Sequence, residues 1–354
     1  MKSKAAIVAL VVLVLCSCRP KVVIEPVGER SIGGQVVRVE EIRFRSGRFR
    51  VVGDLRLPAG DGPFPAIIMV HGDGPITRDG YPTTYQPAME IFLRNGYAVF
   101  SWDKPGSGES TGKFNRKGVW DVLSRRAEIL VDGIGALVEQ PTIDPARIGL
   151  WGISQAGWVM PLALERTDNV AFMIVVSGGA EASSEQMAYQ LGQKVACAGG
   201  SAEQAALVER YWAQSSNAAS YDEYREAMEI LVEIPRFQDH TGITLRIAEQ
   251  DDWKPYPRDT DRFVDPLDVI GHTTIPVLAF FGELDKNIDP VQGAEAYEAA
   301  LQEAGNQDYS IVAIPGMAHT LVPAETGCLN EPWGSELAPE YLETLEAWLQ
   351  HLSQ

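Results

Sequence analysis

Gly152-Ile153-Ser154-Gln155-Ala156-Gly157 follows directly on the apolar run Arg147-Ile148-Gly149-Leu150-Trp151, and this stretch decides how the rest of the chain is read. A strand that turns sharply into a helix can hold a serine at its apex only where the neighbours leave room, because the apex backbone is strained and adjacent side chains crowd it. Gly152 and Ala156 leave that room. Trp158, Val159, Met160, Leu162 and Leu164 beyond them read as a buried helix. Its N-terminal amides would point toward the serine and favour negative charge developing there. Taken alone the string is weak, since glycine and serine are common.

Three further stretches give it weight, each an apolar strand ending in a loop. Ala66-Ile67-Ile68-Met69-Val70 runs into His71-Gly72-Asp73-Gly74-Pro75, and Pro276-Val277-Leu278-Ala279-Phe280-Phe281 ends in Gly282-Glu283-Leu284-Asp285. Tyr309-Ser310-Ile311-Val312-Ala313-Ile314 leads through Pro315-Gly316-Met317-Ala318 to His319, one of only five histidines in the chain, so its place in that loop is informative. The order Ser, Asp, His is that of the α/β-hydrolases. In that fold the first of these turns gives one backbone amide to an oxyanion hole, here from Asp73 or Gly74, and the residue after the nucleophile, here Gln155, gives the other. Asp285 would orient the imidazole of His319 and stabilise its charged form. Glu283 and Asp289 are more simply solvated loop charges, and His71 a structural histidine that ties its own loop.

Asp103-Lys104-Pro105-Gly106-Ser107-Gly108-Glu109-Ser110-Thr111-Gly112-Lys113 imitates a phosphate-binding loop and fails twice. Ser107 stands where the first glycine of G-x-x-x-x-G-K-[ST] belongs, and Phe114 replaces the metal-binding hydroxyl. After the apolar Tyr97-Ala98-Val99-Phe100-Ser101-Trp102 it reads as a strand ending in a glycine-rich turn. The chain has no H-E-x-x-H, C-x-x-C or calcium loop, so no metal and no cofactor is expected.

With 354 residues, 45% of them hydrophobic, the chain can bury a large core. A net charge of -18 argues against a nucleic-acid partner, which requires clustered Lys and Arg at phosphates. Lys2 and Lys4, the apolar run Ala5 to Leu15 and Leu15-Cys16-Ser17-Cys18 read as a secretory signal too short to span a bilayer. The segment resembles a bacterial lipoprotein signal, which would place a lipid on Cys18 and export the protein to the cell envelope or periplasm, held to the membrane only by that anchor. Cys197 and Cys328 then remain as an even pair that an oxidising compartment allows to bond, although spacing cannot show proximity.

Residues 1–17 are thus assigned to a signal peptide and 18–35 to a tether, in which Pro20, Pro26, Gly28, Gly33 and Gly34 break any periodicity. Val36 to Phe44 and Phe49 to Leu57 alternate around Ser46-Gly47 as a β-hairpin. Residues 36–180 and 268–354 then alternate apolar strands with helical stretches, the signature of an α/β fold with a mostly parallel sheet covered on both faces. Residues 181–267 differ: S-x-x-Q/E capping boxes begin at Ser183, Ser201 and Ser220, each followed by helical spacing. This insertion is expected to fold as an α-helical cap over the strand ends, its aromatics (Tyr211, Trp212, Phe237, Trp253, Tyr256) forming cap core or lining an acyl pocket. An amphipathic helix with Leu342, Leu345, Trp348, Leu349 and Leu352 closes the chain.

From about Val36 onward the sequence resembles the serine α/β-hydrolases, in particular bacterial esterases related to the prolyl-oligopeptidase and dienelactone-hydrolase branches. His71-Gly72-Asp73-Gly74-Pro75 with Arg78-Asp79 is similar to the H-G-x-G-P-x-x-R-D oxyanion loop of a bacterial carboxylesterase subgroup. Asp103-Lys104-Pro105-Gly106-Ser107-Gly108 is similar to its D-x-x-G-x-G turn, with Pro105 where arginine is common, and Ala156 replaces the last glycine of the pentapeptide. The resemblance implies Ser154 as nucleophile, Asp285 as acid and His319 as base, acting on a small-molecule carboxylic ester through an acyl-serine. An aminopeptidase or thioesterase on the same fold, or a catalytically silent tethered binding protein, are the alternatives.

Overall fold

The computed structural model describes residues 22–114, 122–332 and 334–352. The proposed signal peptide and the lipidation site Cys18 lie outside the described residues. Among the described residues nine strands form one sheet: β1 (Val23–Ile32), β2 (Gln35–Ser46), β3 (Phe49–Leu57), β4 (Phe64–Val70), β5 (Ala98–Trp102), β6 (Ile143–Ile153), β7 (Phe172–Val176), β8 (Val277–Gly282) and β9 (Tyr309–Ile314). Their order is β1-β2-β3-β5-β4-β6-β7-β8-β9. β1, β2 and β3 pair antiparallel and β3 joins β5 antiparallel; from β5 to β9 every pairing is parallel.

β4, β5, β7, β8 and β6 from Ile148 onward are buried on both faces, which is why they read as unbroken apolar runs, while β9 at the sheet edge is only partly buried. Neighbouring residues serve opposite cores, because side chains alternate along a strand. Ile68, Val70 and Leu150 face one core with α2 (Val122–Val138), α3 (Ala156–Leu164) and α9 (Pro290–Glu303). Ile67, Met69 and Trp151 face the other, with α1 (Tyr85–Arg94) and α10 (Pro339–Leu352). Trp151 Nε1 donates to the Tyr341 hydroxyl at 2.9 Å, which ties α10 to the central strand.

Between β7 and β8 lie α4 (Ser183–Cys197), α5 (Ala202–Asn217), α6 (Tyr221–Val232) and α7 (Phe237–Thr241), followed by the single-turn α8 (Leu267–Ile270). Leu191, Val195, Val208, Met228, Leu231 and Phe237 form a small core of their own there. A disulfide joins Cys197 at the end of α4 to Cys328 beyond β9, with Cα atoms 5.6 Å apart.

Two expectations are corrected. Residues 23–32 of the supposed tether are strand β1, paired with β2 across an irregularity at Pro26 and Gly28. An edge strand exposed on both sides needs no apolar alternation, and a bulge accommodates a proline that cannot donate to the ladder. The second correction concerns the caps. Ser201 makes a full capping box with Gln204, and Ser220 accepts from Glu223 N, but Ser183 caps nothing. Its hydroxyl instead serves the carbonyls of Asp261 and Arg262, both at 3.1 Å.

Candidate active site

Because β4, β6, β8 and β9 are parallel, the loops after them emerge on one edge of the sheet. Ser154 follows β6 with φ +58°, a left-handed conformation that a residue with a Cβ adopts only at a cost of about 1–3 kcal/mol. Its amide donates to Val176 O at 2.9 Å, which fixes the apex against β7. The small neighbours are sterically required. A Cβ on Gly152 would lie 2.6 Å from Ala156 Cβ and 2.8 Å from Met160 Sδ, and one on Gly157 would lie 2.6 Å from Gly178 Cα.

Asp285 and His319 are buried and joined, His319 Nδ1 to Asp285 Oδ2 at 2.7 Å. The other carboxylate oxygen accepts the amides of Asn287 at 2.7 Å and Ile288 at 3.0 Å, so the acid is held at both ends. With Nδ1 facing the carboxylate, Nε2 is the ring nitrogen left to take up a proton. The rival carboxylates have other tasks. Glu283 accepts Gly316 N at 2.9 Å, and Asp289 caps α9 by accepting Val291 N and Gln292 N. From the helical insertion, Tyr189 donates to Asp285 O at 2.9 Å.

The turn carrying Asp73 and Gly74 packs directly on the serine: a Cβ on Gly72 would sit 3.4 Å from Ser154 Cβ. Among the described residues no acceptor meets the amides of Asp73 or Gln155, and Gln155 stands at the N-terminus of α3, where such amides are available to a ligand. His71 is wholly buried, with Nε2 2.6 Å from Trp102 O and Nδ1 3.3 Å from the Tyr85 hydroxyl. Burial pushes its pKa down to about 3, with Lys104 and Arg126 acting the same way and the Trp102 carbonyl opposing. It is a neutral, structural histidine.

Two charged turns hold this loop. Arg78 reaches Glu41 at 2.8 Å, Asp54 at 2.9 Å, Asp103 at 3.1 Å and Glu109 at 2.7 Å, which accounts for the Arg and the Asp of the two glycine-rich motifs. Lys104 Nζ donates to Gly72 O at 2.8 Å. Sequence reasoning missed Arg126 on α2, whose guanidinium bonds both the Gln155 side-chain carbonyl and His71 O, joining the two proposed oxyanion loops. Burial lowers its pKa to about 10 against the pull of Asp73, so it stays charged at neutral pH. Its signal was a base on the helix face shared with buried Leu123 and Leu130.

Ser154, Gln155 and Asp73 open into a cleft of about 1360 Å³ that reaches under the helical insertion. Of the five aromatics considered there, only Trp212 lines it. Phe237 is buried in the small core, Trp253 stacks on Tyr224, and Tyr256 lies under Arg262.

Residues 47–317 match the family model described as X-Pro dipeptidyl-peptidase (S15 family). The chain belongs to this S15 family. Over 102 residues the S15 chain is 36% identical to thiohydrolase aneE of Aspergillus aculeatus, covering 29% of this chain and 30% of that protein. An uncharacterized 31.7 kDa protein of the traX-finO intergenic region of Escherichia coli is 33% identical over 102 residues, covering 29% and 33%. The chain thus matches about a third of the length of these curated relatives. Among solved structures, acetyl xylan esterase 1 from Thermoanaerobacterium sp. is 15% identical with a TM-score of 0.55, over 95% of this chain and 89% of that one. Est1E from Butyrivibrio proteoclasticus, with ferulic acid bound, is 16% identical with a TM-score of 0.51, over 88% and 97%. At such identities the likeness speaks for the fold, that of an α/β-hydrolase.

Proposed function

We propose that this S15-family protein is a serine carboxylesterase that works through an acyl-serine intermediate. The observation that carries the reading is the Asp285–His319 pair at 2.7 Å on the sheet edge where Ser154 stands at its strained turn. Ser154 Oγ attacks the ester carbonyl as His319 Nε2 takes its proton, and the amides at Asp73 or Gly74 and at Gln155 receive the oxyanion. His319 gives the proton to the departing alcohol, then draws one from water for deacylation. Ser154→Ala should lower turnover of a short p-nitrophenyl ester by several orders of magnitude. Near wild-type turnover would end the assignment.

The family description favours a second reading, a peptidase that removes dipeptides. An aminoacyl-prolyl p-nitroanilide assayed beside the ester on one preparation separates the two. The helical insertion at 181–267 is proposed to act as the cap that shapes the acyl site. The protein is further proposed to be exported and anchored through Cys18. The Cys197–Cys328 disulfide supports that placement, since such bonds persist in oxidising compartments.

A further inference from the structure

Resting on the serine-hydrolase reading, we propose that the substrate carries an anionic group, a carboxylate a few bonds from the scissile ester, recognised by the basic walls of the cleft beside Ser154. Over the whole chain acids outnumber bases, 48 to 30. Among the described residues that line this cleft the ratio is reversed: Arg48, Lys104, Lys113, Arg125, Arg126 and Arg262 stand against Asp73 and Asp261.

Asp261 is engaged by α2, whereas Asp73 is exposed. Asp261 accepts Leu123 N at 2.5 Å and the Ser124 hydroxyl at 2.6 Å, neutralising the first turn of α2, and the charge of Asp73 acts on Arg126. Lys104 and Arg126 are committed to the loops around the serine. The lining bases come from separate segments: Arg48 from the β2–β3 turn, Lys104 and Lys113 from the glycine-rich loop, Arg125 and Arg126 from α2, and Arg262 from the chain that returns from the helical insertion. Arg262 rests 4.1 Å above the Tyr256 ring and donates to Ser216 Oγ at 2.6 Å, while its Nε is buried with no hydrogen-bond partner among the described residues. Cations converging on a concave site focus a positive potential and draw anions in. The same field disfavours the free ammonium of a peptide N-terminus, for which Asp73 is the one exposed carboxylate among the described lining residues.

Two substrate pairs test the proposal and place the anion on one side of the ester. Mono-p-nitrophenyl adipate against p-nitrophenyl hexanoate puts the charge on the acyl group; 4-acetoxybenzoate against 4-acetoxybenzamide puts it on the alcohol. At low ionic strength the charged member of at least one pair should show about tenfold higher kcat/KM, carried by KM, and the preference should shrink as salt is added. The double variant Arg48→Gln, Lys113→Gln should cut the charged-to-neutral ratio about five- to tenfold. Equal rates within both pairs at low salt, or a ratio unmoved in the variant, overturn the proposal. Calorimetry on the Ser154→Ala protein reads the charge preference without turnover, adipic acid monoanilide against hexananilide for the acyl side and 4-acetamidobenzoate against 4-acetamidobenzamide for the alcohol side, and equal affinity within both pairs likewise overturns it. Failure of the hydrolase reading would show separately, as undiminished ester cleavage by Ser154→Ala.

Discussion

Acidification should destabilise this protein through His71, by an amount the structure sets. The ring is fully buried, and both of its nitrogens are engaged by Trp102 O and the Tyr85 hydroxyl. Its pKa falls from 6.5 to about 3, chiefly because burial disfavours the charged form. Between those values the unfolded chain binds a proton that the folded chain does not, so stability is complete above about pH 6.5 and is lost as pH drops toward 3. At about 1.4 kcal/mol per pH unit, the loss from pH 7 to pH 5 is roughly 2 kcal/mol, and in full it approaches about 5 kcal/mol. Urea unfolding of the wild type and of His71→Asn at pH 7 and pH 5 isolates this contribution, because the other titrating groups are common to both. The variant will be less stable at pH 7, yet its further loss at pH 5 should be smaller by about 2 kcal/mol. Equal losses on acidification would refute the linkage and imply that the folded protein readily accommodates a charged His71.

Other consequences follow from single residues. Asp285→Asn keeps the shape of the acid but forfeits its charge beside Nδ1 of His319, so kcat should fall about 10³- to 10⁴-fold with KM little changed in steady-state assays on a p-nitrophenyl ester. Glu181 has the opposite linkage to His71: burial raises its pKa to about 7, helped by Glu185, Asp289 and Asp265. The folded chain therefore holds a proton that the unfolded chain releases, and stability falls as pH rises from about 4.5 to 7. Glu181→Gln should flatten that fall, by about 1 kcal/mol after allowance for solvent screening, in denaturation curves at pH 5 and pH 8. Cys197→Ser with Cys328→Ser opens a crosslink between positions 131 residues apart and should cost about 2–5 kcal/mol, read as a lower thermal midpoint of unfolding.

What could be read from the chain was whatever the sheet imposes on it. β4, β8 and the second half of β6 are buried on both faces and β9 in part, and their apolar runs place Asp73, Ser154, Asp285 and His319 at strand ends before any contact is known. The elbow was legible because its small residues answer a local steric demand at Gly152 and Gly157. β1 was illegible for the converse reason, since an exposed edge strand needs no apolar pattern and its proline and glycine imitate a tether. Ser183 misled because its hydroxyl finds carbonyls of a distant segment in place of its own helix. Arg126 could not be assigned at all: its partners Gln155 and His71 lie 29 and 55 residues away and meet it only after the sheet has formed. The basic cleft is hidden by the same cause, because its residues come from four segments of an acidic chain.

The central claim is that Ser154 takes up an acyl group. Rapid acid quenching during turnover of a p-nitrophenyl ester, followed by mass spectrometry of the peptide containing residues 147–166, tests it most directly. A mass increase equal to the acyl group on Ser154, absent from the Ser154→Ala protein along with turnover, is the result expected. An acyl adduct on another residue, or turnover by Ser154→Ala at the wild-type rate, would contradict it.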